Sequence, residues 1–465
     1  MIMLGRRLFI LGLDATPPDL LFKTLIDELP NFRRLLERSV YGRLRSCDPP
    51  ITVPAWMVMF SGRTPGELGI YGFRNRVEGE YNEFRIPSSR DVGYEKVWDV
   101  LGRHGLKSVV IGIPPTYPPQ PLNGWLVTGF LTPNDKSRFT YPARLKMEIK
   151  SLVDRYVFDV VFRREDRDSV YRELVDMTRK RLRVVDYLLE SKPWDLFIYM
   201  EIGVDRVQHA FWKYFDERHP RYTPHPKFSK AIPEYYKMLD GWLGRFMDRF
   251  GDDVSILVVS DHGAKYMKGA FAINDWLVEK GYMRLRRDVE PGTRLGEADV
   301  DWGNTYVWGW GGYYARIFFN LEGREKMGCI SREEYPDFVK SFVRDLMAIR
   351  GPNGEDWENT VYIPSQIYPS VRGNPPDLMV YFDNLYWRSA GTMGYSDYYL
   401  PENDTGPDDS VHDHHGIYIF SDGGLRTRGE YRDLDIYDIF PSILDYYGVK
   451  YGGEVRGSSL LTDIF

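Results

Sequence analysis

Cysteine is almost absent: Cys47 and Cys329 are the only two in 465 residues. That excludes a disulfide framework and thiolate metal clusters, and it implies a reducing setting. Long apolar runs are missing as well, since none reaches the roughly 18 residues that mark a membrane-spanning helix. The first apolar stretch, 8–13, ends at Asp14 ahead of Pro17 and Pro18 without a cleavage-site pattern, so no signal peptide is expected there. A dominant charge of one sign is also lacking. The 61 Lys and Arg against 67 Asp and Glu leave a net charge of -6 and a pI near 5.9, with no basic block to serve as a nucleic-acid footprint. An anionic substrate therefore needs a local positive centre, such as a metal. There are no repeats or low-complexity tracts, and no zipper or swap element from which an oligomeric state could be read. A soluble, cytoplasmic, globular protein is the expectation.

What is present is a large apolar share, 43%, with 15% aromatic residues, enough for a sizeable core. Short runs rich in Val, Ile, Leu and Phe at 8–13, 108–113, 196–202, 254–259 and 416–420 read as buried parallel strands. Apolar residues at helical spacing occupy 20–38, 94–104, 169–190 and 231–250, with a last helix at 435–447. The alternation predicts an α/β fold, a mostly parallel central sheet with helices on both faces. The stretch 283–404 breaks the rhythm. Rich in Gly, Trp, Tyr and Pro, with short strands at 315–320 and 378–381, it reads as a smaller inserted cap subdomain between core segments 1–282 and 405–465.

Ligands of an open α/β sheet collect outside the carboxyl ends of its strands, and several acidic and histidine residues fall there. In Val258-Val259-Ser260-Asp261-His262-Gly263 an apolar run stops at a carboxylate and an imidazole; a buried carboxylate without compensation is costly, which points to a metal or catalytic role. Asp14 follows another such run and could instead cap a helix. Asp205 and His209, spaced i, i+4, share a helical face if that loop is helical. The run His412-Asp413-His414-His415 precedes the last strand in a chain with only eight histidines. Thr52, flanked by Pro50 and Pro54, is either a plain N-cap or a hydroxyl aimed at a phosphate on a helix N-terminus. Jointly the clusters supply enough oxygen and imidazole donors for two metal ions, with Thr52 beside them as a nucleophile.

These residues carry a resemblance. Gly12-Leu13-Asp14, Pro50-Ile51-Thr52-Val53-Pro54-Ala55-Trp56, Ser61-Gly62 with Gly69-Ile70-Tyr71-Gly72-Phe73, Gly203-Val204-Asp205 with His209, Ser260-Asp261-His262-Gly263, and His412 before Gly416 together resemble the alkaline phosphatase superfamily. Within it they resemble specifically the type I phosphodiesterase and nucleotide pyrophosphatase branch and its prokaryotic relatives, described as phosphohydrolases or phosphomutases. The resemblance implies a three-layer alkaline-phosphatase-like sandwich and two divalent metals, zinc by family expectation and manganese as the alternative. It assigns Asp14, Asp261 and His262 to one metal with Thr52 bridging, and Asp205, His209 and a late histidine to the other. His412 fits the superfamily spacing and His415 the nucleotide pyrophosphatase spacing. It further implies in-line attack by Thr52 on phosphorus, a phosphothreonine intermediate, and metals about 4 Å apart. Asn75 could donate to a phosphoryl oxygen or simply be a polar turn residue. Leu68 departs from the pattern, standing where relatives often have His, and no paired arginine clamp is evident near Thr52 beyond Arg63. A sulfatase signature at Cys47-Asp48-Pro49 fails because Ile51 replaces the required arginine.

Three readings of function follow. The first is a metal-dependent hydrolase of phosphodiesters or nucleotide pyrophosphates acting on a small anionic phosphate ester. The second is a phosphomutase-type isomerase, which needs a cap that excludes water. The third is a non-catalytic binding protein on the same fold. Trp308, Trp310, Tyr313 and Tyr314 of the insertion could stack on a base or a lipid headgroup, or be plain core.

Overall fold

The computed structural model describes residues 5–465. The strands of its central sheet and of the pair beside it, in chain order, are β1 (Leu8–Leu13), β2 (Ser39–Arg45), β3 (Ser108–Ile111), β4 (Gly124–Val127), β5 (Thr140–Tyr141), β6 (Leu196–Glu201), β7 (Ser255–Val259), β8 (Gly263–Tyr266), β9 (Ser410–Asp413), β10 (His415–Ser421) and β11 (Gly429–Glu430). All but β8 and β9 join one sheet in the order β11-β2-β10-β7-β1-β6-β3-β4-β5, with Leu434–Asp435 also on β2. The core of this sheet, β7-β1-β6-β3-β4, is parallel. Strands β1, β6 and β7 are buried along their whole length, which is why they read as unbroken apolar runs rather than alternating ones.

Helices cover the sheet. Thr52–Ser61 (α1), Arg167–Ser191 (α2), Gly203–Phe215 (α3), Ala231–Phe250 (α4) and Ile439–Tyr446 (α5) are the principal ones. They pack in two groups, α2 on α3 and α3 on α4, and separately α1 on α5. The predicted α/β sandwich with a mostly parallel central sheet is therefore what the chain forms.

Some expectations of detail are corrected. The last strand, β10, lies antiparallel to both β2 and β7, because an apolar run reports burial and not direction. The helix expected over 20–38 is broken into a π-turn at Leu20–Thr24, a 3-10 turn at Ile26–Glu28 and an α-helix at Pro30–Leu36. Pro30 opens the last piece because it has no N–H to continue a helix. The segment just after it, to which the sequence reading assigned no element, is strand β2.

Between β8 and β9 the chain builds a second, antiparallel sheet from Val307–Trp310, Ala315–Phe319, Leu378–Tyr381 and Thr360–Tyr362. It has its own apolar core, which includes Trp276, Trp308, Phe318, Phe319, Phe342 and Val380. Trp308 is fully buried there and stacks on Phe318, and the Tyr314 hydroxyl donates to the Tyr71 carbonyl. Two of the four aromatics singled out in the sequence are thus structural.

Register fixes what comes next. Leu13 pairs with Glu201 and Gly12 with Val259, so β1, β6 and β7 end level and their following loops open on one edge of the sheet. Gly12 is needed at that edge: a Cβ there would meet Trp56 Cη2 at 2.5 Å. Gly12→Ala is expected to cost about 1–3 kcal/mol, as overpacking of a filled core does. Urea unfolding measures it, and an unchanged midpoint would contradict the packing described.

Candidate active site

The loop after β1 makes a strained turn. Ala15 has φ +59, a left-handed conformation that costs a residue with a Cβ on the order of 1–3 kcal/mol. Three bonds hold it there. The Ala15 N–H donates to Asp261 Oδ1 (3.3 Å), the Thr16 N–H donates to Ser260 Oγ (2.8 Å), and Gln208 Nε2 donates to the Ala15 carbonyl (2.9 Å). The turn thereby ties the end of β1 to the end of β7 and to α3, and brings Asp14, Asp261 and Asp205 to one place.

Helix α1 brings the hydroxyl. All ten of its residues are buried, as expected of a helix apolar on every side. Ile51 in extended conformation precedes it, Thr52 is its first residue, and Gly62 in the left-handed region ends it. Thr52 therefore does not cap its own helix. Its Oγ1 lies 3.4 Å from Asp14 Oδ1 and 3.2 Å from His262 Nε2. Trp56, one turn on, donates its indole N–H to Asp14 Oδ2 at 2.6 Å, which fixes that carboxylate.

Three imidazoles converge on the carboxylates, each held by its other nitrogen. His262 Nδ1 donates to the Gly263 carbonyl (2.9 Å) and His412 Nδ1 to the Pro50 carbonyl (2.8 Å). His209 Nδ1 meets Asp408 Oδ1 at 2.7 Å. The three Nε2 atoms are left facing acids: His262 to Asp261 Oδ2 at 3.3 Å and Asp14 Oδ1 at 3.7 Å, His209 to Asp205 Oδ1 at 3.1 Å, and His412 to Asp205 Oδ1 at 3.8 Å. The His262 and His412 rings stack at 3.9 Å. Every one of these side chains is at most 1% exposed.

Electrostatics sharpen the picture. Burial, then the neighbouring Asp205, pushes the Asp14 carboxyl well above its ordinary range, with Trp56 acting the other way. Burial, then Asp14, does the same to Asp261. Asp205 is held well below the usual range: burial opposes this, but His209 and Arg206, whose Nη1 lies 2.6 Å from Asp205 Oδ2, outweigh it. His209 is driven up by Asp205, Tyr313 and Asp408 against burial. Burial lowers His262 to about 4, and burial with the His262 charge lowers His412.

A cation fits this arrangement. Among the described residues, Asp205 Oδ1, His209 Nε2 and Asp261 Oδ2 are buried polar atoms with no hydrogen-bond partner, and the lone pairs that the His262 and His412 imidazoles, both lowered, turn toward carboxylate oxygens repel unless a positive charge sits between them. Two sets of ligand atoms lie within 4.8 Å of one another, Asp14, Asp261 and His262 in one, Asp205, His262 and His412 in the other. His262 belongs to both sets, and His209 Nε2 lies against Asp205 Oδ1, the oxygen that His412 also faces. Mixed imidazole and carboxylate donors suit zinc or manganese rather than a thiolate-loving ion.

The remaining sequence candidates lie elsewhere. His415 is half-buried at the start of β10, opposite Arg45. Asn75 donates its amide to the Gly69 carbonyl (2.9 Å) and accepts from the Tyr71 N–H (3.3 Å), bracing the 69–72 turn. Arg63 pairs with Glu67 and stacks on Tyr94. Residues not anticipated surround the cluster instead. Asp408 holds His209 and is itself held by Arg163 Nη2 (2.8 Å) and Arg388 Nη1 (2.9 Å). Tyr313, one of the aromatics singled out in the sequence, joins them, its ring 3.9 Å from that of His412. The one sequence signal for Asp408 was its place in Pro407-Asp408-Asp409-Ser410, immediately ahead of His412.

Comparison with known proteins agrees with this geometry. The profile of the family described as type I phosphodiesterase/nucleotide pyrophosphatase matches residues 8–408. No curated protein sequence matches the chain. Among solved structures, human ectonucleotide pyrophosphatase/phosphodiesterase 5 is similar at 13% identity and a TM-score of 0.58, covering 97% of each chain. The murine protein of that name is 12% identical with a TM-score of 0.57, over 97% of this chain and 98% of that one. An inactive threonine-to-alanine form of the murine protein in complex with AMP has a TM-score of 0.57 at 11% identity, over 97% of each chain. Having the profile across most of its length and the fold across nearly all of it, the chain belongs to the type I phosphodiesterase/nucleotide pyrophosphatase family, phosphoester hydrolases of the alkaline phosphatase superfamily.

Proposed function

We propose that the protein cleaves phosphodiester or nucleotide pyrophosphate bonds of a small anionic substrate, with Thr52 as nucleophile. The observation that carries the reading is the Thr52 hydroxyl at the mouth of a buried helix, within 3.4 Å of Asp14 and 3.2 Å of His262. An inactive threonine-to-alanine form of the murine relative, complexed with AMP, supports both the residue type and a nucleotide product.

Thr52 Oγ attacks phosphorus in line, forming the Oγ–P bond as the bond to the leaving oxygen breaks, and the leaving group takes a proton. The Thr52 and Val53 N–H groups, in the first turn and without intrahelical acceptors, donate to the phosphoryl oxygens along the helix dipole. Water then enters from the vacated side, cleaves the phosphothreonine and restores the hydroxyl. Divalent ions, zinc by expectation with manganese as the alternative, held by Asp14, Thr52, Asp261 and His262 and by Asp205, His209 and His412, would stabilise charge on phosphorus and ease deprotonation of Thr52. Trp56 and Asp408 keep Asp14 and His209 in position for this.

Turnover of bis(4-nitrophenyl) phosphate is expected to exceed that of 4-nitrophenyl phosphate by at least about tenfold, and a chelator should abolish both. Preference for the monoester would count against a diesterase. One observation favours a phosphomutase as the second reading, namely Tyr313 of the inserted sheet lying over His412 as a water-excluding cap requires. Inactivity on both esters with two metals retained would point to it.

A further inference from the structure

We propose that Arg74 and Arg316 form a subsite for a second phosphate group, carried by the substrate beyond the scissile phosphorus; the inference rests on the phosphodiesterase reading above. The two arginines are neighbours beside the turn that carries Tyr313. Arg316 Nη1 donates to the Arg74 carbonyl at 2.9 Å and its Nη2 to the Gly311 carbonyl at 2.8 Å. Gly311 begins the turn that carries Tyr313, whose ring lies against His412, and Arg163, bonded to the Tyr313 hydroxyl at 3.0 Å, adds a third positive charge beside Arg74.

What singles out this pair is the lack of any counter-charge. Among the described residues neither Arg74 nor Arg316 forms an ion pair, whereas the cations nearer the metal ligands are matched: Arg163 and Arg388 by Asp408, Arg206 by Asp159 and Asp205. The Arg316 Nε atom is buried without a partner. Burial and the Arg74 charge both weaken proton binding at Arg316, and burial with the Arg163 and Arg294 charges does so at Arg74. A half-buried guanidinium beside a second positive charge, with no carboxylate, is unfavourable until an anion arrives. Aromatic faces hold both in place, Phe84 under Arg74 at 4.3 Å and Trp310 under Arg316 at 5.4 Å. The Arg74 fork, together with the Arg316 Nη N–H groups that the two carbonyls leave over, suits a phosphate dianion better than any neutral group.

The test compares 4-nitrophenyl alkyl phosphodiesters whose alkyl group ends in a phosphate or in a hydroxyl, with spacers of two to four carbons. In the wild-type protein kcat/KM for the phosphate-ended ester should exceed that for its hydroxyl-ended partner by tenfold or more for at least one spacer, and the excess should shrink as salt is raised. In Arg74→Ala that ratio should fall at least tenfold, chiefly through KM, and Arg74→Lys should recover part of it. Arg74 is exposed, so the variant is expected to fold, and its thermal midpoint checks this. A ratio near one in the wild type for every spacer, or an unaltered ratio in Arg74→Ala, overturns the subsite while leaving the diesterase reading intact. Absence of turnover with every diester, bis(4-nitrophenyl) phosphate included, overturns both.

Discussion

Thr52→Ala is expected to lower kcat/KM on bis(4-nitrophenyl) phosphate by about a thousandfold or more, since loss of a nucleophile removes the covalent route altogether. The fold should hardly notice. Thr52 gives no side-chain bond to its own helix, the variant loses one buried methyl group besides the hydroxyl, and the lost hydroxyl contacts are to Asp14 and His262 rather than to backbone. The unfolding midpoint should therefore stay within the range of a roughly 1 kcal/mol change. Thr52→Ser keeps the oxygen but loses the methyl group that limits χ1, and should retain activity at a reduced rate. Metal content separates the nucleophile from a mere ligand: if Thr52→Ala keeps its full metal complement and still loses the activity, the attacking oxygen was Thr52 Oγ. If it keeps wild-type kcat/KM, another group attacks.

The sequence made some of this legible and hid the rest for physical reasons. Asp14, Asp261 and His262 were readable because each ends a strand buried on both faces, where an apolar run stops abruptly at a charge. Helix α4 spans the residues expected, 231–250, since its apolar stripe is regular and long. Strand β2 was missed because only alternate residues are covered and Gly42, Arg43 and Arg45 dilute the apolar signal. Asp408, Arg163 and Tyr313 lie in irregular segments distant in sequence from His209, and no periodicity links them. The choice between His412 and His415 needed backbone geometry. His412 lies on β9, opposite Ala264 of β8, which follows His262 by two residues, whereas His415 has already passed into the central sheet.

Asp261→Asn is expected to invert the order of stability between metal-free and metal-replete protein. The folded Asp261 carboxyl titrates well above its ordinary value, through burial first and Asp14 second. A group raised in this way contributes stability that is fully present below its unfolded pKa and is lost as pH rises through the folded one. At pH 7 without metal the fold therefore bears a cost at Asp261, either the buried charge or the proton taken up to avoid it. Asparagine removes that charge, and its side-chain oxygen still accepts from the Ala15 N–H that Asp261 Oδ1 now satisfies, so the chelated variant should melt above the chelated wild type. Metal reverses this. A hundredfold excess over Kd adds about 2.7 kcal/mol to a protein that binds only when folded, and the wild type, keeping the charged ligand, should gain most of it while the variant gains little. Activity of the variant should fall by more than the roughly 10–100-fold that follows from altering an outer partner of a metal ligand. Differential scanning calorimetry with chelator and then with zinc or manganese reads both midpoints. A variant that melts below the wild type in chelator and gains as much from metal would make Asp261 a structural carboxylate, and would leave the buried Oδ2 atom facing His262 without an explanation.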